Sequence, residues 1–132
     1  MSAISRDELK TILLFGVHIA KVDQKFDVWE RKILARIAES LSLTDAEKQA
    51  MTREDFSLGK GLASLTSDEG QQLLVKTLCA VAHVDGVASG EEIEFIERVI
   101  VKLKAQVFVY GREEWGKYEK EVFETLKQVS AS

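Results

Sequence analysis

The sequence predicts an all-α fold: a single bundle of about six or seven helices, built from two pseudo-repeated helix-loop-helix units. Three observations carry that expectation. The 132 residues contain no proline and only eight glycines, so little interrupts a helix and the turn chemistry of β-rich folds is sparse. Apolar residues recur three and four positions apart over long stretches, the period of a helix face. The chain also matches itself at an offset of 62, where Asp23 falls on Asp85, Glu30 on Glu92, Ala20 on Ala82, Arg36 on Arg98 and Leu41 on Leu103. A hydrophobic content of 45% is enough for a sizeable core in one domain over 1–132.

The elements follow in order. Over 4–22, Leu9, Ile12, Leu13, Val17 and Ala20 form an apolar face, and Phe15 and Ile19 extend it almost all round, which places this helix at the centre of the bundle. A second helix over 28–41 carries Trp29, Ile33, Ile37 and Leu41. Thr44 and Glu47 form a capping box that starts a short helix at Asp45. The stretch REDFSLGKGLASLT, from Arg53 to Thr66, reads as a short helix plus a mobile connection, with Gly59 and Gly61 weakening it. It superficially resembles a phosphate loop, but the full glycine-lysine spacing and the preceding strand are missing. A second central helix is expected over 68–84 and its partner over 90–103, so the units run roughly 4–41 and 68–103. VFVY at 107–110 reads as a helix end or connector, and Trp115, Tyr118, Val122, Leu126 and Val129 mark a last amphipathic helix over 112–129.

Charge and cysteine usage narrow the function classes. Asp and Glu (22) outnumber Lys and Arg (18), so the chain lacks the basic surplus that holds phosphate backbones, and no nucleic-acid partner is expected. No apolar run approaches the roughly 18 residues of a membrane span. The single Cys79 lies in the apolar run LLVKTLCAVA and reads as a buried thiol, which fits a reducing, cytoplasmic setting. His18 and His83 read as structural or surface residues, and no nucleophile-base signature stands out.

The acidic pairs carry the functional question. Asp27 with Glu30, and Ser89 with Glu92, have capping-box spacing, and this accounts for both glutamates without any ligand. It does not account for Asp23 and Asp85, each facing the negative end of a helix macrodipole seven positions before the same glutamate. A carboxylate after one helix and another in the first turn of the next can converge on a hard cation. An EF-hand is excluded, because counting from Asp85 puts Val87 at the third position and Ile96 at the twelfth.

The repeated Ala-x-x-Asp-Gly-x5-Glu pattern, complete in AVAHVDGVASGEE and with Gln24 in place of glycine in the first copy, resembles the TerB-like domain of tellurite-resistance and related bacterial stress proteins. The resemblance implies an all-helical domain and a possible divalent metal ion, of unknown identity, held by Asp23 and Glu30 in one unit and Asp85 and Glu92 in the other. Asp27 and Glu91 rank second. It further implies a non-enzymatic adaptor with protein partners, a homodimer being open, in the bacterial cytoplasm. The alternatives are a small metal-dependent enzyme using Asp85 and Glu92, which requires a pocket beside them, and an interaction domain without metal.

Overall fold

A computed structural model describes residues 4–23, 29, 32–53, 57–65, 67–83, 90–103 and 115–131. These residues form seven helices and no strand: α1 (Arg6–Asp23), α2 (Lys32–Ser40), α3 (Asp45–Arg53), α4 (Leu58–Ala63), α5 (Asp68–His83), α6 (Gly90–Leu103) and α7 (Trp115–Ala131). The all-α expectation holds. α5 packs against α1, α2, α6 and α7, and α1 packs against α2, α3, α5 and α6, so the two most apolar helices are the central ones.

The relative direction of α1 and α5 follows from three contacts. Glu8, in the first turn of α1, accepts hydrogen bonds from Ser67 just ahead of α5. A Cβ built on Gly70 would stand 2.5 Å from the same carboxylate, and one built on Gly16, eight residues further along α1, would stand 3.9 Å from Thr77 of α5. Contacts that advance together along both chains mean that the helices run parallel, side by side. The C-terminal ends of α1 at Asp23 and of α5 at His83 therefore lie at the same end of the bundle.

The helix ends are specified locally. Glu8 N–H donates to Ser5 Oγ at 3.1 Å and Ser5 N–H to Glu8 Oε1 at 3.3 Å, a capping box that starts α1. The box predicted at Thr44 forms, with Thr44 N–H donating to Glu47 Oε1 at 3.0 Å and Glu47 N–H to Thr44 Oγ1 at 3.2 Å. Those bonds from Thr44, the backbone one first, hold the Glu47 carboxyl below its ordinary range. α2 ends in a Schellman turn, with Ser42 at φ 56°, Ser42 N–H donating to the Glu39 carbonyl and Leu43 N–H to that of Ala38. The Arg6 guanidinium donates to the Leu41 carbonyl and ties this turn to the start of α1.

Packing explains two glycines that sequence reading treats as helix breakers or leaves unremarked. Gly61 lies inside α4 because a Cβ there would come 2.2 Å from the Phe15 ring, so the short helix lies directly on that aromatic. Gly16 similarly leaves room for a methyl of the fully buried Leu34. The core joins Leu9, Ile12, Leu13 and Phe15 of α1 to Ile33, Leu34 and Ile37 of α2, to Leu74 and Leu78 of α5, and to Val122 and Leu126 of α7. Two apolar positions of the expected C-terminal stripe, Val122 and Leu126, are thus core, with Tyr118 packed against it. Cys79 is buried as expected, and burial pushes its thiol up to about 12.

Positions 28 and 112, the expected starts of the second and last helices, lie outside the described residues. α2 is described from Lys32 rather than 28, with Trp29 in a 3₁₀ turn ahead of it, and Leu41 belongs to the turn that ends it. α7 is described from Trp115 through Ala131. Residues 107–110 lie outside the described residues.

Candidate functional site

The acidic end of the bundle is the first candidate. Asp27, Glu30 and Asp85 lie outside the described residues, as do the side chains of Asp23 and Glu92. What is described is the framework. α1 ends at Asp23, α6 starts at Gly90 and carries Glu92 in its first turn, and Glu91 beside it is exposed. Among the described residues no group of three or more His, Cys, Asp or Glu side chains is placed to hold a metal ion. The donor set named from the sequence consists of carboxylates only, which suits a hard, oxygen-seeking cation such as Ca²⁺, Mg²⁺ or Mn²⁺ better than a thiolate-seeking one.

The second candidate is a cleft that sequence reasoning missed. Thr11, Leu14, His18 and Lys21 follow one another at spacings of three, four and three along α1, and they form a face that the rest of the bundle leaves partly open. Met51 of α3 and the Ser57–Ser64 segment around α4 border this face and enclose a cleft of about 200 Å³. Leu14, half-buried, supplies the apolar surface that the cleft exposes, with Phe15, Val17 and Met51 buried beneath it. The mixed stripe on an otherwise apolar helix was the available signal, but a stripe of this kind is also the ordinary signature of a solvated edge.

Local bonding sets what the cleft can offer a ligand. The His18 ring stacks at a tilt on Phe95 of α6, centroids 5.0 Å apart. Burial, and secondly the Lys21 ammonium, hold its imidazole below the ordinary 6.5, so it is neutral at pH 7. Lys21 Nζ donates to the Thr52 carbonyl at 2.7 Å, which draws the ammonium over the rim of α3 and leaves it two further protons to donate. The hydroxyl protons of Thr11 and Ser64 are committed to the carbonyls of Asp7 and Lys60, at 3.0 and 3.1 Å. Ser57 Oγ accepts from Lys60 N–H as the N-cap of α4. The charged donors of the cleft are therefore Lys21 and Lys60.

Compared with family models, with curated proteins and with solved structures, the chain matches none of them. No helix among the described residues is long and apolar enough to cross a membrane.

Proposed function

We propose that this chain is a TerB-like domain that binds a divalent cation at the acidic end of its bundle and acts as a non-enzymatic adaptor in a bacterial stress response. The observation that carries the reading is the parallel packing of α1 and α5, which brings the ends at Asp23 and His83 to one side of the protein. Asp85 follows His83 by two residues and Glu30 precedes α2 by two, so chain connectivity keeps both near that side, at a reach of about 7 Å each. Asp23 with Glu30 and Asp85 with Glu92 would hold the ion, with Asp27 and Glu91 as further oxygen donors. A bound divalent cation would offset the unfavourable placement of Asp23 and Asp85 after the negative ends of α1 and α5.

The test is thermal unfolding of the purified chain in chelator and with millimolar Ca²⁺, Mg²⁺, Mn²⁺ or Zn²⁺. At least one hard cation is expected to raise the melting temperature, because a ligand of the native state stabilises it by mass action. The Glu30→Gln/Glu92→Gln variant keeps a side chain that can serve the capping boxes expected from the sequence, but loses the charge a cation requires. It should melt like the parent in chelator and gain nothing from metal. A parent that is indifferent to all four ions overturns the metal reading and leaves an interaction domain without metal.

A further inference from the structure

We propose that the cleft between α1, α3 and α4 binds a small amphiphilic carboxylate, its head held by Lys21 and Lys60 and its apolar body laid on the half-buried Leu14 of α1. Charge makes the first argument. On a chain with 22 acidic and 18 basic residues, this cleft is lined by two lysines and a neutral histidine, and no carboxylate lines it among the described residues. Lys21 is held at the rim by the Thr52 carbonyl and retains free donors, and Lys60 makes no ion pair among the described residues. Two lysines lining one semi-enclosed cleft attract an anion more strongly than the same pair on a flat surface.

The lining fixes the rest of the ligand. Leu14, half-buried on α1, presents carbon to the cleft above the buried Phe15 and Met51, so the ligand must carry apolar surface behind its charge. With the Thr11 and Ser64 hydroxyl protons committed to backbone carbonyls, the site lacks the dense donor array that a phosphate dianion calls for and suits a carboxylate monoanion. A volume of about 200 Å³ is below the range of drug-sized pockets and excludes a nucleotide or a folded peptide segment. It holds a molecule of about ten non-hydrogen atoms, for which the usual efficiency of small ligands gives a Kd of about 1 mM.

Octanoate is the probe, with octan-1-ol and inorganic phosphate as separate arms, titrated into the full chain at pH 7 and followed by ¹H–¹⁵N NMR. Octanoate should shift the amides of Thr11, His18, Lys60 and Gly61 saturably while leaving those of α7 in place. Lys21→Met/Lys60→Met, which keeps the apolar stems, should weaken octanoate about tenfold and leave the response to octanol unchanged. Unshifted cleft amides, octanol or phosphate binding as tightly as octanoate, or an unaltered octanoate affinity in the double variant would each overturn the proposal. α7 amides that keep their parent positions in the variant establish that it is folded.

Discussion

The Glu8 carboxylate accepts both the backbone N–H and the hydroxyl of Ser67, at 3.2 and 2.8 Å, while its other oxygen accepts Ser5 N–H. One buried side chain thus serves the N-termini of two central helices that are distant in sequence. Ser67 Oγ in turn accepts Gly70 N–H at 3.0 Å, completing the cap of α5.

Glu8→Ala should therefore remove the return bond of the α1 capping box and both bonds that hold Ser67 ahead of α5, and cost about 2–3 kcal/mol, measured by urea unfolding. Gly70→Ala should be destabilising in the parent, because its Cβ would meet Glu8 Oε2 at 2.5 Å. In the Glu8→Ala background only the Ser67 Oγ contact at 2.9 Å remains, so the second change should cost clearly less than in the parent. Additive costs in this double-mutant cycle would refute the coupling.

Thr77 is fully buried in the middle of α5, and its Oγ1 has no hydrogen-bond partner among the described residues. A buried hydroxyl left unpaired costs more than the methyl that would replace it. Thr77→Val should raise stability by about 1 kcal/mol, read as a higher urea midpoint at constant slope. A loss of stability would mean that the hydroxyl is satisfied in solution.

Ser42 holds φ 56° at the end of α2, a left-handed conformation that costs a side-chain-bearing residue about 1 kcal/mol and glycine almost nothing. Its own N–H bond to the Glu39 carbonyl and that of Leu43 to Ala38 keep it there, and the side chain is exposed. Ser42→Gly should lift the melting temperature by about 3–5 °C, and Ser42→Val should lower it.

His18 gives the fold a pH dependence of known sign. Its folded pKa lies below the ordinary 6.5, so as the pH falls the unfolded chain takes up this proton first. The contribution from keeping the ring neutral is full above about pH 6.5 and is lost progressively below it. His18→Gln should flatten the decline of the urea midpoint between about pH 7 and about pH 5, relative to the parent. Equal slopes would show that His18 titrates alike in both states.

Much of this architecture was legible in the residues, for reasons that differ by element. α1 and α5 were readable because an almost wholly apolar helix has one stable position, covered by others, and the Thr44 box because its two bonds are local. The start of α6 at Gly90 was also marked locally, following the apolar period. Gly61 could not be read, since its role depends on the Phe15 ring 46 residues away in sequence. The same holds for Glu8, whose partner Ser67 is 59 residues distant. The cleft escaped notice because its lining comes from three helices, and only their packing turns a lysine in α1 and a lysine in α4 into neighbours of one space.

α4 is the least anchored piece of that space. It has six residues and no buried side chain, and it is seated on Phe15 by the absence of a methyl group at Gly61. An element that hides so little apolar surface can lift away for a small fraction of the global unfolding free energy, while α5 opens only when the whole domain does. One wall of the cleft is thus hinged and the other fixed. A ligand that enters therefore disturbs the lightly packed α4 before it disturbs the floor on α1.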